Sequence, residues 1–241
     1  MRLFFIRHGQ SQNNALWARK GSAVDRVPDP EITDIGKRQL EATAKFLDFC
    51  LTSDISMGTD PSCGAETANV ILFCSLMTRA IQSASIIADR LRIPVYAHLD
   101  IHESGGIYRD DFDTGGRVGE KGLSRAEVDK RFPHVHLPAG MNPEGWWNRP
   151  FEERELRRER VAAVLDWLKG TYGSTTDTII LVSHAGFYNY FMRQVLGLSH
   201  DPYNVWFEFF NGAATLFNFD NGTINIFYSN RFDFMPMDIV T

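Results

Sequence analysis

Short apolar runs that stop at a glycine or a polar residue alternate with stretches whose apolar residues return every third or fourth position. Residues 3–6 form the first run, closed by Arg7-His8-Gly9, and read as a buried strand opening into a loop. Residues 70–74 repeat the pattern ahead of Ser75, and 94–98 make a shorter strand. The most strand-like run, 178–182, ends at Ser183-His184-Ala185-Gly186. Helical spacing links Leu40, Ala44, Leu47 and Leu51, in a helix starting near Ile35 with Thr33 or Asp34 as its cap. It returns in 78–91 through Ala80, Ala84, Ile87 and Leu91. It recurs in 151–172, with Leu156, Val161, Val164, Leu165 and Leu168 inward, and in a helix over 187–196. The polar stretch 52–68 reads as a surface loop. Asn221-Gly222 between the β-rich runs 213–219 and 223–228 is a hairpin signal.

Strands alternating with helices imply an α/β fold in three layers. The expected architecture is a mostly parallel central sheet with helices on both faces and a C-terminal β-hairpin at one edge. Residues 104–150 break the rhythm, holding eight of the 19 glycines and four of the 10 prolines. They read as an inserted cap within one domain spanning 1–241, because long loops in compact domains are usually functional. In open parallel sheets, ligands meet the loops at the carboxyl ends of the strands. Three loops qualify: Arg7-His8-Gly9, residues 75–79, and Ser183-His184-Ala185-Gly186.

Composition narrows the partners. The chain of 241 residues is 44% hydrophobic and 23% charged, which is ordinary for a globular protein. A net charge of -5 argues against nucleic acid, whose binding needs a basic face. It leaves room for a small anionic substrate, since one pocket needs only a few arginines. The three cysteines, Cys50, Cys63 and Cys74, match neither a metal knuckle nor a redox pair, and a reducing, cytoplasmic compartment is expected. No apolar run approaches the length of a membrane span, and the N-terminal run is too short for a secretory signal. No membrane partner is expected. The hairpin could leave an edge that pairs in a homodimer, or could simply close the sheet.

Two histidines and two arginines thus fall after three separate strands, a set suited to phosphoryl transfer. Arg7 and Arg79 can each present a planar fork of donors to phosphoryl oxygens. One imidazole, neutral at the attacking nitrogen, can be the nucleophile; a second, protonated, can bind an oxygen. Helix N-termini after Ser75 and Gly186 would aim backbone N–H groups at the same anion.

The motifs that follow in order resemble the histidine phosphatase superfamily, the phosphoglycerate mutase-like family. Arg7-His8-Gly9 is similar to its opening signature, with Asn14 and Ser11 matching phosphate contacts. Ile32-Thr33-Asp34-Ile35-Gly36 with Gln39 resembles its Leu-Thr-x-x-Gly-x-x-Gln segment. Residues 75–84 resemble Ser-x-x-x-Arg-Ala-x-Gln-Thr-Ala. His102-Glu103 lies where the family has its proton donor, and His184-Ala185-Gly186 resembles its second histidine motif. The resemblance implies that His8 attacks phosphorus and becomes phosphohistidine. It implies that Arg7, Arg79 and His184 hold the phosphoryl oxygens, helped by Asn14, Ser11 and Ala185. Glu103 would protonate the leaving alkoxide and then take a proton from water; a carboxyl beside a bound dianion favours the protonated form a general acid needs. No metal and no cofactor is implied, because the arginines supply the positive charge.

The favoured activity is phosphomonoester hydrolysis. A cofactor-dependent phosphoglycerate mutase is the alternative, and a non-catalytic binding module on the same fold is the third reading. Mutases resemble Glu-Arg-x-Tyr-Gly where this chain has Glu103-Ser104-Gly105-Gly106, and carry Asn where Gly186 stands. The segment 122–127 does resemble the mutase insertion in outline. Candidates for contacting the leaving group are Tyr108, Arg109, Arg117, Trp146, Trp147 and Phe187, with the two tryptophans as suited to covering the core edge. The stretch 152–160, EERELRRER, reads as a solvated mixed-charge face. His134 and His136, flanked by Pro133 and Pro138, read as loop residues and not as a metal pair.

Overall fold

The computed structural model describes residues 1–22, 24–53, 69–199 and 205–241. The expected loop at 52–68 therefore lies outside the described residues, with Cys63, apart from Thr52 and Ser53. The chain opens with β1 (Arg2–Arg7), α1 (Gln12–Lys20), α2 (Asp34–Thr52), β2 (Val70–Ser75), α3 (Thr78–Leu91) and β3 (Val95–His98). Within 104–150 come β4 (Tyr108–Asp111), β5 (Gly116–Gly119), α4 (Arg125–Arg131) and β6 (Val135–His136). The rest is α5 (Arg154–Tyr172), β7 (Thr178–Ser183), α6 (Ala185–Leu196), β8 (Ala214–Asp220), β9 (Thr223–Arg231) and a 3-10 turn over Met237–Ile239. No helix among the described residues is long and apolar enough to cross a membrane.

Seven strands form the main sheet in the order β6-β3-β2-β7-β1-β8-β9. Strands β6, β3, β2, β7 and β1 run parallel, and β8 and β9 add an antiparallel edge. Alternation along the strands explains the three layers. Phe4, Ile6, Ile180 and Val182 face one core with Leu40, Leu47, Ile81 and Ile87 of α2 and α3. Leu3, Phe5, Ile179 and Leu181 face the other, with Val161, Val164, Leu165 and Leu168 of α5 and Phe187 and Phe191 of α6. A parallel strand buried on both faces has to be apolar throughout, which is why these runs are so legible.

Thr33 caps α2 as expected, accepting a hydrogen bond from Gly36 N–H at 3.1 Å. Helix α1 was not expected: it buries no residue, so it has no apolar stripe to read. What specifies it is a capping box, in which Ser11 and Asn14 satisfy each other's backbone N–H groups. Two further expectations fail. Leu156 is exposed, because α5 begins at Arg154 and its first turn lies off the buried stripe. His136 is not in a loop: Val135 and His136 pair with Val95 and Tyr96 as an edge strand, where flanking prolines are tolerated. His136 stacks on Tyr96 and His134 Nε2 meets Ser85 Oγ at 2.8 Å, so neither ring is arranged as a ligand.

In 104–150, β4 and β5 form a separate two-stranded sheet. The loop that follows is seated by Trp146 and Trp147, both buried. Gly106 and Gly122 are obligatory beneath them. Both have positive φ, and a Cβ at Gly106 would lie 2.1 Å from the Trp147 ring.

Candidate functional site

Strands β1, β7 and β2 are neighbours, with Arg7 in register with Ser183 and Cys74 with Val182. Their carboxyl ends therefore deliver His8, His184 and, in the first turn of α3, Arg79 to a single place. The His8 and His184 rings lie 5.0 Å apart between centroids. Arg79 Nε donates to His8 Nε2 at 3.1 Å, and all three side chains are buried.

These bonds decide the His8 tautomer. Nδ1 lies 2.7 Å from the Gly9 carbonyl oxygen, which can only accept, so Nδ1 carries the proton. Nε2 accepts from Arg79 and so presents its lone pair. Burial, then Arg79, then Arg7 push the His8 pKa well below an ordinary imidazole, and the ring is neutral at physiological pH. Arg7 donates to the Phe209 carbonyl. Burial pulls its pKa down to about 10, against the opposing pull of Glu103, and it remains a cation.

At His184, burial, followed by Arg79 and His8, pushes the pKa well below the usual value. The protein's own groups hold it neutral; a phosphate dianion is the kind of charge that would reverse this. Both of its ring nitrogens, and Arg7 Nε, are buried without a hydrogen-bond partner among the described residues.

Glu103 joins the cluster from the segment after β3. Its carboxylate accepts from the N–H groups of Ser104 at 2.7 Å, Phe187 at 3.1 Å and Gly186 at 3.3 Å. Gly186 is what makes room: a Cβ there would stand 2.3 Å from Glu103 Oε1. The helix N-termini thus differ from expectation, since these N–H groups serve the chain's own carboxylates. At α3, Asp29 takes Thr78 N–H at 3.0 Å and the Thr78 hydroxyl at 2.6 Å. Met77 at the N-cap has no capping side chain, which is the one sequence signal that a remote carboxylate was needed.

The other expected contacts divide. Ser11 and Asn14 stand beside the cluster but engage each other, Ser11 Oγ donating to Asn14 Oδ1 at 2.8 Å. Asn211, which the sequence did not suggest, ties them in by donating to the His8 carbonyl at 3.0 Å and to Asn14 Oδ1 at 3.3 Å. Ala185 follows His184, and its carbonyl accepts from Asn189 at 2.9 Å. Tyr108 carries Arg26 stacked 4.0 Å from its ring centre. Arg109 and Arg117 pair with Glu120 and Asp110, while Phe187 is core. A side cleft of about 370 Å³ opens between Asp29 and Thr78 on one wall and Ile107 and Glu120 on the other.

The stretch 152–160 is also corrected. It is not wholly solvated, because Glu152 and Arg160 are buried against each other. Alternating charge conceals the pair, and nothing in one sequence separates it from a surface face. Among the described residues, no cluster of three His, Cys, Asp or Glu side chains is disposed to hold a metal ion.

A family model described as the histidine phosphatase superfamily (branch 1) matches residues 62–231. No curated protein sequence matches the chain. Among solved structures, a phosphoserine phosphatase mutant from Entamoeba histolytica in complex with phosphoserine is 19% identical, with a TM-score of 0.58 over 98% of this chain and 99% of that one. YhfR of Bacillus stearothermophilus is 15% identical, with a TM-score of 0.60 over 97% and 98%. A mycobacterial glucosyl-3-phosphoglycerate phosphatase is 17% identical, with a TM-score of 0.56 over 95% and 98%. At these identities the likeness concerns the fold. The family match begins downstream of His8, whereas these structural likenesses span nearly the whole chain. With most of its length matched, the chain belongs to the histidine phosphatase superfamily.

Proposed function

We propose that the protein hydrolyses small phosphomonoesters through a phosphohistidine on His8. The observation that carries this reading is the His8 ring, neutral and fixed by Gly9 with its Nε2 lone pair turned to Arg79. Substrate phosphate draws Arg79 from that nitrogen onto a phosphoryl oxygen, and the lone pair attacks phosphorus. Glu103 takes the proton that a substrate monoanion brings, and the bond to the leaving oxygen breaks as Glu103 passes that proton to it. Arg7 and Arg79 stabilise the equatorial charge, which explains why the reaction needs no metal in this reading. His184, with both ring nitrogens free of partners among the described residues, takes a further oxygen. Water then attacks the phosphohistidine, Glu103 takes its proton, and phosphate leaves with His8 neutral again.

The phosphoester phosphatases of similar fold make phosphoserine and related small phosphorylated acids sensible first substrates. In EDTA, the purified protein is expected to release phosphate from at least one of these esters, and His8→Ala to remove the activity. Unchanged turnover in that variant contradicts the mechanism. Supplying 3-phosphoglycerate with and without 2,3-bisphosphoglycerate separates the mutase: rapid formation of 2-phosphoglycerate overturns hydrolysis as the main activity.

A further inference from the structure

The loop that carries Glu103 is held by an ion pair the catalytic reading does not use. Arg160 of α5 grips Glu152 with two parallel bonds, Nε to Oε1 at 2.6 Å and Nη2 to Oε2 at 2.8 Å. Its remaining nitrogen, Nη1, donates to the carbonyls of Asp100 at 2.7 Å and His102 at 3.1 Å. Glu152 closes the loop from the other side: Oε2 accepts from Gly105 N–H at 3.3 Å, and its own N–H donates to the Gly105 carbonyl at 3.2 Å. The pair thus fixes the backbone at 100, 102 and 105, on both sides of Glu103. Arg157 secures the Glu152 carbonyl with two donors, at 3.1 and 2.7 Å.

Two features speak against a purely stabilising role. Burying an ion pair is weak evidence for stability, because desolvation offsets much of the attraction. The side-chain hydrogen bonds of the pair also end on the Glu103 segment or on each other. Arg160 also lies 5.2 Å over the ring of Phe187, whose N–H holds the Glu103 carboxylate. Both of the anchors that aim Glu103, its own loop and the start of α6, therefore rest on the same guanidinium. His102 completes the contact set, its Nδ1 donating to the Glu103 carbonyl at 2.9 Å and its Nε2 4.0 Å from Glu152 Oε1.

We infer that Arg160 and Glu152 are positioning residues for the proton donor, holding Glu103 within reach of the leaving oxygen while touching neither substrate nor phosphate. The inference rests on the reading of Glu103 as the general acid. It predicts a loss that depends on the leaving group. An alkoxide needs a proton to depart, whereas 4-nitrophenolate leaves without one, so misaiming Glu103 should penalise the alkyl ester selectively in kcat/KM, which reports the steps through departure of the leaving group and not the later attack of water.

The test compares kcat/KM for glycerol phosphate and 4-nitrophenyl phosphate in the wild type, Arg160→Met, Arg160→Lys and Glu103→Gln. Inhibition by inorganic phosphate is measured alongside. Arg160→Met is expected to lose about tenfold or more activity on the alkyl ester beyond any loss on the aryl ester. The inhibition constant for phosphate should stay within about twofold, since His8, Arg7 and Arg79 remain in place. Arg160→Lys should recover part of the alkyl activity. If Arg160→Met fails to fold because Glu152 is left unpaired, the double change Arg160→Met with Glu152→Leu removes both charges and is read in the same way. Equal losses on both esters, or no loss, overturn the positioning role. Glu103→Gln separates the two levels: if it does not discriminate between the esters, the acid assignment itself fails; if it discriminates and the Arg160 variants do not, only the clamp fails.

Discussion

At the residue scale, the proposed chemistry turns on keeping one imidazole neutral beside two cations. His8 spends its Nδ1 proton on Gly9, and Arg79 makes protonation of Nε2 unfavourable while marking that atom as an acceptor. Its pKa is lowered, so the reactive neutral form persists as pH falls below the ordinary imidazole range. Removing a nearby cation favours the protonated ring and raises that pKa. Arg79→Met should therefore move the acid limb of the kcat/KM profile to higher pH, in addition to a loss of about 100-fold or more from the missing phosphate contact. A reduced rate with an unmoved acid limb contradicts this account of His8. The residues that the structure gathers around His8 were largely visible in the sequence, because strand-end histidines and arginines have few other reasons to recur. The residues that hold them were not. Glu152 and Arg160 sit in a run of alternating charge, and Asn211 follows the aromatic run 206–210, without any local pattern that separates a buried role from a solvated one.

At the scale of elements, legibility followed burial. Helix α3 and strands β1, β2 and β7 came out of periodicity because each is apolar on the faces it buries. Helix α1 and strand β6 did not, since one has no buried residue and the other is two residues long. Within 104–150, the positive-φ glycines beneath the tryptophans matter more than any repeat, and a glycine-rich stretch shows only as an irregular one. The hairpin is the clearest local signal to survive intact. Asn221 and Gly222 both take positive φ, 46° and 82°, as the two-residue turn between right-twisted strands requires. No atom lies within 4 Å of a Cβ built on Gly222, so Gly222→Ala tests backbone conformation alone. A destabilisation of about 1 kcal/mol is expected in urea unfolding. Pairing of Asn218 with Arg2 puts this turn at the amino end of β1, opposite the site. Phosphatase activity should accordingly be unchanged in the folded variant, and a loss of kcat/KM contradicts that separation.

At the scale of the molecule, an acidic chain gathers its functional cations at one end of a parallel sheet. The net charge of -5 belongs to the whole chain, whereas Arg7 and Arg79 set the charge around His8. The arrangement burdens stability in acid. His8, His102 and His184 are all buried with pKa values pushed well down, chiefly by burial. The unfolded chain therefore binds protons that the native state refuses, and stability is full above the ordinary histidine value near 6.5 and falls as pH drops below it. Each such histidine contributes a slope of up to about 1.4 kcal/mol per pH unit. Asp29, whose carboxyl is raised by burial, works in the opposite sense. Urea unfolding in phosphate-free buffer should show a marked loss of stability between about pH 6.5 and 5, above the range where most carboxylates titrate. A flat profile across that interval contradicts the burial of three neutral imidazoles.

If His8 carries the phosphoryl group, the phosphoenzyme can be trapped. The protein is mixed with a phosphorus-labelled phosphomonoester that it turns over, quenched within milliseconds in alkali, where phosphohistidine survives, and mapped by mass spectrometry. One labelled peptide containing residues 7–9 is expected, phosphorylated on the His8 ring, chased away by unlabelled substrate and absent from His8→Ala. Label on another residue, or steady turnover in His8→Ala, would contradict that role of His8.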